Sequence, residues 1–170
     1  MPLSMYQISV PAFVRGLKVL SDLLKKGEEF AEEQGMIPDV LFNASLAADM
    51  MPLSAQVQHA CDTAKMSVAR LSGVKAPSME DNEASFQQLQ ERIAATLAYL
   101  ESVGRELVDQ AESKEITLNW KAIQPTFSGA DYQLSFGLPN FYFHLVTAYG
   151  ILRSQGVDIG KIDYLGPYSQ

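Results

Sequence analysis

A chain of 170 residues, 47% hydrophobic and 19% charged, is long enough to bury a core of its own and too apolar to be largely disordered. Its formal net charge of −7 argues against binding nucleic-acid backbones or anionic membranes, and a single cysteine, Cys61, excludes an intramolecular disulfide. Two histidines, His59 and His144, are the only imidazoles available for metal or acid–base chemistry.

The first helix is predicted from Ser4 or Ser9 to about Gln34. Val10, Phe13, Val14, Leu17, Leu20 and Leu24 recur at steps of three and four. Pro11 sits either in its first turn or inside a longer, kinked helix. Glu28, Glu29, Glu32 and Glu33 read as a solvated face, and Gly35 as a cap. Pro38 to Asn43 suggests a short helical turn. Asp49 then reads as an N-cap, with Pro52 in the first turn of a second helix. Its buried stripe is Leu53, Val57, Ala60, Cys61, Ala64, Val68 and Leu71. Gly73 stops it and Pro77 bars an early restart.

A third helix is predicted to begin near Asp81 or Asn82, with Phe86, Leu89, Ile93, Leu97 and Leu100 on one face. It fades near Val103 or Gly104. The period then changes. Ile116, Leu118 and Trp120 alternate with polar residues, and Ile123 and Phe127 follow a polar break. This pattern suggests a small β-hairpin, with Pro125 placing its second strand at an edge. Ser128 and Asp131 open a fourth helix in capping-box style. Leu134, Leu138, Phe141, Leu145, Ala148 and Leu152 mark its apolar face, Pro139 should kink it, and Gly156 ends it. The tail carries Tyr164, Leu165 and Tyr168 and should pack back along the other helices. The expected fold class is therefore all-α: a four-helix bundle in one domain, 1–170, with a small β-hairpin before the last helix.

Candidate chemistry gathers on the second and fourth helices. Gln56 and Thr63 flank the second helix's apolar stripe, while His59 and Asp62 lie further round and can equally be plain surface residues. Lys65 and Asp62 have the spacing of a surface ion pair, and Cys61 falls on the buried stripe, where a thiol is inert. On the fourth helix, Phe136 and Phe143 point away from the apolar face, so a second cover is expected: the tail, the hairpin or another subunit. A homodimer is the expectation. Gly137, Asn140, His144 and Thr147 form a stripe between these faces. Asn140 and His144, four apart, project together. They read either as a pocket wall for a small molecule or as a core histidine satisfied by Asn140 or a backbone carbonyl. A metal held by His59 and His144 needs a third ligand from Asp62, Cys61, Gln56 or Asn140. HExxH and CxxC signals are absent.

The N-terminus lacks the basic start of a signal peptide, and no apolar stretch reaches about 18 residues. A cytoplasmic protein without a membrane span is expected.

The segments MYQISVPAFVRGL, ADMMPLSAQVQHACDTAK, SFQQLQERIAATLAYL and LPNFYFHLVTAYGILRSQGVDIGKIDYLG resemble, together over nearly the whole chain, a bacterial and fungal family known only as a domain of unknown function. That family is grouped with the DinB/YfiT-like four-helix bundles, described as candidate metalloenzymes. The resemblance implies a divalent metal, zinc or nickel, on a second-helix histidine plus an H-x-x-x-H pair on the fourth helix. Counted from Leu152, Arg153 and Gly156, that pair falls on Asn140 and His144, so one ligand position holds an amide. The second-helix position falls at His59, with Gln56 and Gln58 close by. The expected site is therefore Gln56, Gln58, Asp62, Asn140 and His144 around a small-molecule pocket between the second and fourth helices. His59 and His144 would hold any metal, at a centre that is degenerate or lost. A non-catalytic interaction bundle is the alternative.

Overall fold

The computed structural model describes residues 3–120 and 122–167. Four long helices make the bundle: α1 (Met5–Glu33), α3 (Leu53–Ser72), α4 (Phe86–Ser102) and α7 (Leu138–Ser154). Shorter pieces join them: α2 (Pro38–Phe42), α5 (Arg105–Asp109), α6 (Gly129–Tyr132) and α8 (Lys161–Leu165). Strands β1 (Ile116–Thr117) and β2 (Thr126–Phe127) pair antiparallel, Ile116 opposite Phe127 and Thr117 opposite Thr126. Around the bundle α1 and α3 each pack on both α4 and α7.

Ser4 opens α1 with a full capping box to Gln7, which satisfies two otherwise orphaned backbone donors. Pro11 therefore lies inside the helix, on its exposed side. Val10, Phe13, Leu17, Leu20 and Leu24 are buried as the periodicity requires. Two starts differ from expectation. Helix α3 is capped by Pro52, not Asp49, and α4 by Ser85, whose hydroxyl accepts the Gln88 N–H, not by Asp81 or Asn82. Asp81 is instead drawn into an ion pair with Arg92. Gly73 ends α3 in the left-handed conformation, φ +79°, which costs glycine nothing.

The crossing of α1 and α7 is close. A Cβ on Gly16 would run into the Phe141 ring, so glycine lets the phenyl reach the α1 backbone. Phe141 also meets Phe13 edge to face, ring centres 5.1 Å apart. The tail packs back on α1, where Lys26 binds Asp163 at 2.6 Å and Arg15 donates to the Leu165 carbonyl. Tyr164 lies against Tyr149 of α7. Tyr168 lies outside the described residues. Among the described residues, no helix is long and apolar enough to cross a membrane.

Between α6 and α7 the helix widens into a π turn, Gln133–Gly137, closed by a bond from the Leu138 N–H to the Gln133 carbonyl. Pro139 explains it. Its missing N–H and its ring disfavour ordinary helix in the preceding turn, and the wider turn absorbs the conflict. The expected kink is thus a change of pitch. It also advances the phase of the upstream residues. Leu134, placed on the apolar face by a regular helix, is 57% exposed, and Gln133 is buried in its stead.

Candidate functional site: a polar seam between α3 and α7

Helix α3 carries, beside its apolar stripe, polar residues at the same three-and-four spacing: Gln56, His59, Thr63, Ser67 and Arg70. Gln56, His59 and Thr63 meet α7, and Ser67 and Arg70 meet Tyr132 of α6 just before it. The Gln56 side chain donates through Nε2 to the Met51 carbonyl at 3.0 Å, which leaves its Oε1 turned to His144 Nδ1 at 2.8 Å. An amide oxygen only accepts, so Nδ1 carries the proton and donates. The lone pair of His144 is thereby assigned to Nε2. Next along the seam, Asn140 Nδ2 donates to Thr63 Oγ1 at 2.7 Å, and Thr63 donates to the His59 carbonyl at 2.7 Å. Further on, Ser67 Oγ and the Tyr132 hydroxyl lie 3.0 Å apart, and Arg70 donates to the same hydroxyl at 2.9 Å.

The two histidines meet. Their rings stack with centres 5.2 Å apart and planes inclined by 24°. Phe143 closes over His144 edge-on. Burial first, then the neighbouring His59, lowers the pKa of His144 to about 4. At neutral pH His144 is an uncharged imidazole of fixed tautomer. It can accept a hydrogen bond or ligate through Nε2, and it is a weak base.

This geometry does not fit a resident metal centre. A metal lies close to the plane of each imidazole that binds it, about 2.0–2.1 Å from the nitrogen for zinc. Two stacked, nearly parallel rings do not share such a point. Asn140 is committed to Thr63, and Gln56 to His144. Burial pushes the Cys61 thiol up to about 12. Among the described residues no group of three or more His, Cys, Asp or Glu is placed to hold a metal ion.

Two residues expected at the rim face elsewhere. Gln58 donates to Glu83 at 2.8 Å, and Asp62 pairs with Arg92 at 2.7 Å and with Lys65 at 2.8 Å. Arg92, its side chain 1% exposed, also holds Asp81 at 2.9 Å and Glu83 at 2.8 Å. The expected surface ion pair of Asp62 and Lys65 is instead part of a half-buried charge clamp centred on Arg92 of α4. Burial works against the Arg92 charge, but its carboxylate partners outweigh it and hold the guanidinium above its ordinary range. Glu83 is raised by burial and lowered more by Arg92 and Gln58, and ends below the usual carboxylate range. Ser67 and Arg70 were not among the expected site residues; their spacing of three and four from Thr63 is the sequence signal that could have found them. The deep residue Gln133 carried none, because the π turn changes its phase.

The order and packing of the helices define a four-helix bundle of the DinB type. A crystal structure of a DinB family member from Shewanella denitrificans is similar at a TM-score of 0.89 and 42% identity, covering 97% of this chain and 94% of that one. The chain belongs to the family described as a domain of unknown function, DUF1993, whose model matches residues 5–165. No curated protein matches it.

Proposed function

We propose that this protein binds a small molecule at the α3–α7 seam, with His144 Nε2 as the central polar contact and no complete metal triad. The observation that carries the reading is the Gln56–His144 bond. Gln56 is itself anchored on Met51, and it holds one tautomer of a neutral imidazole whose second nitrogen makes no hydrogen bond to the described residues. Supporting groups that fix a histidine tautomer are characteristic of sites where the other nitrogen works. His59, stacked on the ring, and Phe143 at its edge supply aromatic surface for a flat ligand.

The test is a small-molecule screen read by the nitrogen resonances of His144, alongside elemental analysis of untagged protein. A ligand that shifts His144 Nε2 and is lost in His144→Ala supports the reading. A stoichiometric metal that disappears in both His59→Ala and His144→Ala would overturn its metal-free part. A screen in which every binder survives His144→Ala would overturn the site.

A second reading, a non-catalytic interaction bundle, is favoured by the outer strip of α7. Phe143 and Val146 are 56% and 48% exposed, and Leu46, packed beside Gly150, is 46% exposed. No acidic residue occurs in α7.

A further inference from the structure

The seam contains one group that the His144 site does not use. Gln133 is fully buried, and neither its Nε2 nor its Oε1 has a protein partner. Ser67 and Tyr132 beside it are equally buried. Burying an unpaired amide is costly, and native interiors pair such groups almost without exception.

We propose that a water molecule is bound inside the bundle between the Gln133 amide and the Ser67 hydroxyl, at the π turn. Gly137 locates the place. A Cβ there would stand 2.8 Å from Gln133 Oε1 and 3.2 Å from Ser67 Oγ, so the two oxygens converge over the one residue that lacks a side chain. The hydrogen count asks for such a guest. Arg70 can only donate, and it donates to the Tyr132 oxygen. When Tyr132 in turn donates to Ser67, the Ser67 proton has to find an acceptor. Gln133 offers a carbonyl oxygen and two N–H donors. Water, with two donors and two acceptors, can take the Ser67 or Gln133 proton and donate to Gln133 Oε1. Buried waters typically make two to four such bonds. A π turn, broader than an α turn, makes room for it, and such turns concentrate at functional positions. Since Gln133, Ser67 and Tyr132 expose no surface, the guest is resident, and a larger metabolite has no way in without opening the helix pair.

The experiment uses the full chain labelled with nitrogen-15. Cross-relaxation between bulk-frequency water and the Gln133 side-chain amide is measured, and the melting temperature of Gln133→Met is compared with that of the parent. The expected result is a cross-peak whose sign marks a long-lived water. Gln133→Met should also lower Tm by about 3–6 °C, the shift that a lost buried bridge produces in a chain of this size. If the amide is truly unpartnered, an apolar side chain of similar shape is neutral or stabilising. An unchanged or raised Tm therefore overturns the proposal, as does a missing water cross-peak in the parent protein, which does not depend on the variant folding.

Discussion

Gln56 and His144, 88 residues apart in sequence, meet at 2.8 Å across the two helices that form the polar seam. The bond determines which imidazole nitrogen bears the proton, and so which one can face a ligand. Replacing Gln56 with Met keeps the volume and removes the acceptor. The expected result is a loss of about 1–2 kcal/mol in stability, the usual cost of leaving a buried donor unpaired. Long-range nitrogen–proton correlation of His144 should change from a single Nδ1–H tautomer to a mixture. Persistence of one tautomer would show that Gln56 does not set it.

The depressed pKa of His144 predicts a specific acid sensitivity. Its folded value, about 4, lies below the ordinary 6.5, so the unfolded chain takes up a proton first as pH falls. The stability linked to this group is complete above about pH 6.5 and declines toward pH 4. A tenfold difference in proton affinity between the folded and unfolded chain corresponds to about 1.4 kcal/mol, and allowing for partial exposure the loss is on the order of 2 kcal/mol. In urea melts between pH 7 and pH 4 the parent should lose more stability than His144→Gln, by that amount.

Arg92 is expected to matter about as much as a fully buried apolar residue of α4. Arg92→Met leaves Asp62, Asp81 and Glu83 without their shared cation. The cost should be about 2–4 kcal/mol, tempered by the partial exposure of the aspartates. Since Glu83 titrates below its ordinary range, the clamp contributes fully above the usual glutamate pKa and is lost as pH falls through the depressed value. Chemical denaturation at neutral and acid pH measures both effects.

Gly16→Ala tests the close crossing of α1 on α7. The added methyl would enter the Phe141 ring, so the helices have to part. A loss of about 1–3 kcal/mol is expected, as for overpacking elsewhere, despite the better helix propensity of alanine. A more stable variant would show that Phe141 can swing aside.

The outer strip of α7 predicts self-association. Phe143, Val146 and Leu46 offer exposed apolar surface in a chain whose net charge of −7 otherwise opposes contact between copies. Light scattering at micromolar concentration should give a dimer, and Phe143→Asp a monomer with unchanged helical signal. A monomeric parent would remove the proposal.

Much of this architecture was legible because helical periodicity reports burial directly. The stripes of α1, α3 and α4 lie in the core, and Ser128, Gly73 and Gly156 mark ends where they were expected. The seam was half legible. His144 and Asn140 stood out as polar residues in an apolar helix, whereas Gln58 turns to Glu83 and Asp62 to Arg92 in a cluster that Asp81 and Glu83 of the loop, residues 73–85, complete without any periodic pattern. Leu134 and Gln133 exchanged roles because the π turn adds a residue that regular spacing does not foresee.

That added residue has a bearing on how relatives are aligned. A bundle of this kind built with an unbroken α-helix would carry one residue fewer between the Ser128 cap and Gly137. Asn140 and His144 would then correspond without a gap, while Gln133 and Tyr132 would match only after a single-position deletion. Transferring residue roles across that junction by ungapped counting would give Leu134 the place that Gln133 holds.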